Sequence, residues 1–270
     1  MMKLKTVFLI SFLLIFLLNS VSITAQTRRQ TKPKPTTSDN SAVPEIKDFA
    51  FVVNIDKNSN VTLSVQKTED STVLANASNA KALTDFVTKF SKMQNSRTAI
   101  KPTDLLDPIY IVRADSSLNY SEVIKVIQAF RVSSKQKIKI EISKGFYAFI
   151  PLKPEKTDIN SMKPNPLTLV VELKENQTLS VNSQEEGSLN NPSPLMNVMK
   201  QIFKDREDNG VFRSSTNEVE KTVFVKVPAS AKFADVIKLV EALRDSGATP
   251  IGLVIDGDDF PRTIMIMETP

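Results

Sequence analysis

Acidic residues are the strongest candidates for chemistry in this chain. There are 30 Asp and Glu residues but no His and no Cys. The missing residue types exclude Ser-His-Asp and Cys-His nucleophilic catalysis, thiolate ligation and the usual zinc ligands. Catalysis by carboxylates alone is formally open, but nothing in the sequence places two acids together. We therefore expect no enzymatic activity, no cofactor and no metal ion.

One acidic run superficially resembles a calcium loop. Asp256, Asp258 and Asp259 surround Gly257. The remaining ligand spacing and the closing glutamate of a calcium loop are missing, so a solvated hairpin turn explains the run better. A glycine-rich phosphate loop is also excluded, because the chain has only six glycines and none are clustered.

The first 25 residues have the layout of an export signal. Lys3 and Lys5 precede an apolar stretch from Val7 to Leu18, and small residues follow up to Ala25. Residues 1–25 are predicted to be a signal peptide, with an uncleaved N-terminal membrane anchor as the alternative. In both cases the rest of the chain is exported.

Two segments of low apolar content divide the exported part. Residues 26–45 are rich in Thr, Ser, Pro and Lys and are predicted to be a disordered tether. Residues 153–166 form a Pro-rich linker. Two regions, 46–152 and 167–270, are left to fold. Without cysteine they must be stabilised by burial of an apolar core.

The two folded regions resemble each other in sequence. Residues 109–131 align without a gap to residues 222–244, with Val123-Ile124-Lys125 falling on Val236-Ile237-Lys238. Upstream, Val61–Val65 aligns with Gln177–Val181, and downstream Ile138–Ile142 aligns with Ile251–Ile255. Internal similarity of this kind predicts two copies of one module.

Each copy is predicted to be an α+β module of the order β-β-α-β-α-β(-β), with a small sheet backed by two helices. The alternating runs Phe49–Ile55 and Val61–Val65 favour a hairpin in the first copy. Asn119 and Glu122 resemble a capping box at the start of its second helix. A last apolar run, Phe146–Leu152 or Thr263–Met267, closes each copy.

The first copy resembles the periplasmic domain of the ExbD/TolR biopolymer-transport family. The motif that carries the resemblance consists of Ala114-Asp115, Tyr120, the helix residues Val123, Ile124 and Ile127, and the strand Lys137–Glu141. The second copy is similar but weaker, since Pro228 replaces the Asp and Phe233 replaces the Tyr.

The resemblance implies a protein of the periplasm that works with an ExbB/TolQ-type membrane partner in proton-driven energy transduction. Proteins of that family carry an aspartate inside the membrane segment, whereas Val7 to Leu18 contains no ionisable residue. The proton-coupling residue is therefore expected to be missing. Asp115 and Tyr120 are the candidate partner-binding residues. A turn-forming role for Asp115 and a packing role for Tyr120 are the structural alternatives.

The function predicted from these features is partner binding in the cell envelope. An extended segment of another envelope protein would add to an exposed sheet edge, and a homodimer is a further possibility. The alternative is binding of an anionic envelope polymer such as peptidoglycan through the basic stretch Arg28–Lys34 and surface lysines. The net charge of +5 is modest, and no nucleic-acid partner is expected.

Overall fold

The computed structural model describes residues 50–65, 71–95, 109–131, 137–151, 167–213 and 216–255, all within the compact unit Lys47–Pro270. The predicted signal (1–25), tether (26–45), Pro-rich linker (153–166), acidic run at 256–259 and closing strand Thr263–Met267 lie outside the described residues.

The first half contains six strands and two helices in the described residues. They are β1 (Ala50–Ile55), β2 (Asn60–Val65), β3 (Ser71–Asn76), α1 (Ala80–Asn95), β4 (Ile109–Ala114), α2 (Tyr120–Phe130), β5 (Lys137–Ser143) and β6 (Phe146–Ile150).

The second half follows the same order of elements up to its last described strand. It consists of β7 (Leu169–Leu173), β8 (Thr178–Val181), β9 (Gln184–Ser188), α3 (Ser193–Asp208), β10 (Val223–Lys226), α4 (Phe233–Asp245) and β11 (Ile251–Val254).

The predicted hairpins are confirmed, because β1 pairs with β2 and β7 pairs with β8, both antiparallel. Both turns use one residue at positive φ, Ser59 (60°) and Gln177 (68°). The predicted alignment of Val61 with Gln177 is wrong by two residues. Val61 pairs with Ile55, and Leu179 makes the corresponding pair with Leu173. A shift of two keeps every side chain on its own face of the strand, so the sequences could not reveal it.

Two strands were not predicted. β3 pairs with β2 and β9 pairs with β8, both antiparallel, so each hairpin extends to three strands. The predicted order β-β-α-β-α-β(-β) therefore lacks one strand before the first helix. Both additional strands have an irregular register, which weakens the alternation that marks a strand in a sequence.

All the described strands belong to one mixed sheet of the order β3-β2-β1-β4-β5-β6-β11-β10-β7-β8-β9. The α+β class is as predicted, but the expectation of a separate small sheet in each half is wrong. The halves are joined by the parallel pair of β6 and β11, at Phe149 and Gly252.

The first residues of α2 and α4, together with the loops that precede these helices, join the halves a second time. Four backbone hydrogen bonds connect them in two matching pairs: Tyr120 N to Ala231 O (2.8 Å), Phe233 N to Leu118 O (2.8 Å), Ser121 N to Ala229 O (3.1 Å) and Ala234 N to Ser116 O (3.0 Å). Each half donates two of these bonds and accepts two, so the contact is reciprocal. We call it the loop exchange.

The helices form one layer, because α1 contacts α2, α2 contacts α4 and α4 contacts α3. Under this layer the ring of Tyr110 packs edge-on against Phe130 at 5.2 Å and stacks on Phe51 at 5.6 Å. Side chains alternate along a strand, so Ile109 and Ile111 point to the other side of the sheet. We call that side, which carries none of the described helices, the opposite face.

Candidate functional site

Asp115 lies exposed at the end of β4 and forms the turn that leads toward α2. Its Oδ1 accepts hydrogen bonds from the backbone N–H of Ser117 (2.9 Å) and from the Ser117 hydroxyl (2.6 Å). These bonds lower the pKa of Asp115 below its ordinary value of 3.8, the hydroxyl bond having the larger effect. The turn-forming role is therefore present in the structure, while contact of Asp115 with a partner stays a prediction.

Tyr120 is the first residue of α2 and has no exposed surface. Phe233, the first residue of α4, is equally buried. Both backbone N–H groups belong to the loop exchange. Tyr120 thus has the packing position that its sequence context suggested, and its partner-binding role stays a prediction.

A shallow pocket of about 360 Å³, lined mainly by polar residues, surrounds Asp115 and excludes Tyr120, so the structure does not bring the two predicted site residues together. We call it the Asp115 pocket. It lies where the parallel strands β1 and β4 end, beside the β1–β2 turn. Its lining residues are Asn54, Ile55, Asp56, Lys57, Asn60, Thr62, Arg113, Ala114 and Asp115.

Asp56, in the β1–β2 turn, is the second carboxylate of this pocket and was not among the predicted site residues. Its Oδ1 accepts from the backbone N–H groups of Asn58 and Asn60, both at 2.8 Å, and its Oδ2 accepts from the Asn60 amide at 3.0 Å. The hydrogen bond from the side-chain amide of Asn60 makes the largest contribution to lowering the pKa of Asp56. The spacing Asp-x-Asn-x-Asn from Asp56 to Asn60 was the sequence signal for this network.

The two basic residues of the pocket, Lys57 and Arg113, act on different acids. Arg113 forms an ion pair with Glu141 on the neighbouring strand β5. Lys57 attracts both carboxylates and contributes to the lowered pKa values of Asp56 and Asp115. A site with this mixture of charges suits a polar peptide segment better than an apolar ligand.

A second pocket, of about 240 Å³, lies in the second half between the β7–β8 turn and the first turn of α4. Its two lysines are already engaged. Lys174 pairs with Glu185 at 2.7 Å, and Lys232 donates to the Asn119 side chain at 2.9 Å. In the first half the corresponding gap is closed by a hydrogen bond from the Ser59 hydroxyl to Glu122 (2.7 Å).

Neither pocket presents a metal centre. Within the described ranges, no group of three or more His, Cys, Asp or Glu side chains is arranged to hold a metal ion. The chain also has no histidine or cysteine that could act as a nucleophile or a base.

The two edges of the sheet differ in chemistry. β3 (Ser71–Asn76) has no charged residue, and the side chain of Val73 is 72% exposed. β9 (Gln184–Ser188) carries Glu185 and Glu186. These edges offer backbone hydrogen-bonding groups that a further strand could use.

The opposite face combines aromatic and basic side chains near its middle. Ile109 and Ile111 form an apolar cluster with Ala50, and the half-buried ring of Tyr147 packs against it. Lys137 and Lys139 pair with these two isoleucines on the next strand. Lys137 and Lys139 therefore form a basic border of this cluster on its β5 side.

In the part of the chain that the structure describes, no helix has the length and apolar character needed to span a membrane. No family model matches the chain. Searches of the curated proteins and of the solved structures also gave no match.

Proposed function

We propose that this chain is an exported, ExbD/TolR-like protein of the cell envelope that binds a partner protein and has no catalytic activity. It would consist of two copies of one module in tandem, 46–152 and 167–270. Its localisation would be the periplasm, either as a soluble protein or held by the N-terminal anchor. Its partner would be an extended segment of another envelope protein or an ExbB/TolQ-type membrane protein.

The loop exchange supports the tandem modules. In the ungapped alignment Tyr120 corresponds to Phe233, and Leu118 corresponds to Ala231. The bond from Tyr120 to Ala231 is therefore the counterpart of the bond from Phe233 to Leu118. Two copies related by a local two-fold axis produce such reciprocal pairs, as in an isologous dimer interface.

The observation that carries the binding role is the sheet itself, which among the described strands ends at β3 and β9, each with a single neighbour. A strand with one free side offers main-chain donors and acceptors in a row, and an extended peptide can pair with them. The Asp115 pocket lies close to the β3 edge, since its lining residues Asn60 and Thr62 belong to β2, the neighbour of β3. Binding at the edge and binding at the pocket are therefore compatible.

Proton coupling is not part of the proposal. The apolar stretch Val7–Leu18 contains no ionisable residue that could take up a proton inside a membrane. The protein would be an adaptor that has kept the family's fold without its motor residue.

The test is crosslinking in intact cells followed by mass spectrometry, combined with carbonate extraction of the membranes. We expect crosslinks from the region of β3 or Asp115 to a protein of the envelope. Asp115→Asn should lower their yield, whereas Asp85→Asn, at an exposed position of α1, should leave it unchanged. No specific crosslinked protein in either fraction would contradict the binding role. Membrane retention with an ExbB/TolQ-type protein would restore energy transduction.

A second candidate function, binding of an anionic polymer such as peptidoglycan, is favoured by the basic border formed by Lys137 and Lys139 beside Tyr147. Retention on isolated cell wall should then fall with rising salt. The double variant Lys137→Glu, Lys139→Glu should abolish retention, and Lys200→Glu on α3 should not. Retention that is unchanged at high salt would argue against this function.

A further inference from the structure

The two edge strands, β3 and β9, differ in how well they could accept a further strand, and the difference favours β3. At β9, Gly187 has a φ of 90°, and the register with β8 shifts between Thr178 and Ser180. The chain then folds back over the strand end, where Ser188 and Asn191 exchange backbone hydrogen bonds of 3.3 and 3.0 Å. A strand that is short, irregular and covered at one end is a poor template for a further strand.

Charge also protects β9. Glu185 and Glu186 are adjacent in a strand of five residues, and only Glu185 has a basic partner in the described residues, Lys174. A peptide that paired there would bring its backbone carbonyls near these carboxylates and remove water from them. Natural sheets use charged residues on edge strands to prevent such pairing.

As far as the described residues go, β3 lacks these protections over its first half. Ser71, Thr72 and Val73 pair in regular register with Ser64, Leu63 and Thr62 of β2. The irregularity comes only after Val73, where Leu74 is the additional residue. The strand contains no charged residue at any of its six positions. The stretch 71–73 is therefore the part of the edge that can accept a partner strand.

The side chain of Val73 sets the chemistry of the residue that would lie opposite. Val61 and Leu63 are buried, so Thr62 between them points to the opposite face, and Val73 pairs with Thr62. Its isopropyl group is 72% exposed there. A β-branched or aromatic neighbour would bury this group, whereas a charged neighbour would lose water without gaining a counter-charge from β3.

We propose that the partner segment adds to β3 rather than to β9, and that it carries an uncharged β-branched or aromatic residue opposite Val73. This inference rests on the proposed binding function and assigns the edge and the partner's chemistry. The partner is a different protein with an extended segment. A second copy of this chain is the competing occupant of the same edge.

The test uses the full mature chain and a fluorescent peptide of alternating threonine and valine, with a peptide of alternating threonine and glutamate as the control ligand. Binding is measured by fluorescence anisotropy. Val73→Lys should weaken binding of the Thr/Val peptide about tenfold, which corresponds to about 1.4 kcal/mol. Glu186→Lys on β9 should leave it unchanged. Val73 is exposed and Glu186 is half-buried, and circular dichroism checks that both variants fold.

Three results of the binding assay would overturn the assignment. They are no binding of the Thr/Val peptide, equal binding of the glutamate peptide, and loss of binding in Glu186→Lys rather than in Val73→Lys. A dimer in light scattering that Val73→Lys dissociates would assign the edge to a second copy instead. If envelope crosslinks identify a partner with contacts away from β3, the proposed function stands and only this assignment fails.

Discussion

At the scale of single residues, the Asp115 pocket depends on two carboxylates that are kept ionised by local hydrogen bonds. The bonds from Asn60 to Asp56 and from Ser117 to Asp115 lower both pKa values below 3.8. A carboxylate whose pKa is lower in the folded than in the unfolded chain stabilises the fold above its unfolded pKa. That contribution is lost as the pH falls through the folded value.

We expect Asp115→Asn to reduce the acid sensitivity of the fold. The amide keeps an oxygen for Ser117 but cannot be protonated, so the variant loses the pH-linked contribution of this residue. The melting temperature, followed from about pH 5 to about pH 2, should drop less in the variant than in the parent chain. Asp85→Asn is the control and should follow the parent curve. An identical drop in Asp115→Asn would show that the turn does not depend on the ionised carboxylate.

Gly252 lies in the strand pair that joins the halves, opposite Phe149 of β6. A Cβ atom at this position would lie 2.8 Å from Phe149 Cζ and 2.8 Å from Phe224 Cδ1, and the two rings are packed edge to face at 6.0 Å. Aromatic rings cannot bend away as a flexible chain end can, so an added side chain must displace β6 or β10.

We expect Gly252→Val to lower the free energy of unfolding by about 1–3 kcal/mol through overpacking, with Gly252→Ala less affected. Urea denaturation measures both values. Combining Gly252→Val with Phe149→Leu should recover part of the loss, because the smaller side chain makes room, and a double-mutant cycle isolates this coupling. Strict additivity of the two substitutions would mean that Phe149 and Gly252 do not contact each other.

At the scale of elements, apolar residues at helical spacing predicted the helices, and alternation along the chain predicted the hairpins β1–β2 and β7–β8. It failed for β3 and β9, whose apolar residues do not alternate toward a core. The site was predicted in part. Asp115 was found through a motif, whereas Asp56 joins it only because β1 and β4 lie side by side, a non-local pairing that local patterns do not contain.

The loop exchange can be tested as an element without disturbing the core. Ala234 is exposed, is the second residue of α4, and donates its backbone N–H to Ser116 across the junction. Proline has no N–H group but is tolerated in the first turn of a helix. Ala234→Pro should therefore remove one bond between the halves and lower the free energy of unfolding by about 1 kcal/mol.

Lys81→Pro is the matched control, since Lys81 is the exposed second residue of α1, which takes no part in the loop exchange. In the same thermal or urea denaturation, Lys81→Pro should lower the free energy of unfolding clearly less than Ala234→Pro does. Equal destabilisation by both prolines would mean that the loss comes from strain in the helix start and not from the junction.

At the scale of the whole molecule, the sequence predicted two modules but not their union into one sheet. The similarity of the halves could be read from aligned residues such as Val123 and Val236. Their docking depends on contacts between positions about a hundred residues apart, which leave no periodic signal. Arg244 of α4 illustrates this, as it lies 5.1 Å from the ring centre of Phe146 and donates to Ser143 at 3.2 Å.

These contacts predict that the halves hold together without a covalent connection. If a protease site is introduced between residues 153 and 166 and cleaved, the two fragments should co-elute in gel filtration at the volume of the uncut chain. The loop exchange, the β6–β11 pair and the Arg244 contacts all remain after cleavage. Because the junction then becomes bimolecular, Ala234→Pro should raise the dissociation constant of the fragments about fivefold for a loss of about 1 kcal/mol. Lys81→Pro should leave this dissociation constant unchanged. Elution of two separate fragments at micromolar concentration would show that the linker, and not the shared sheet, keeps the modules together.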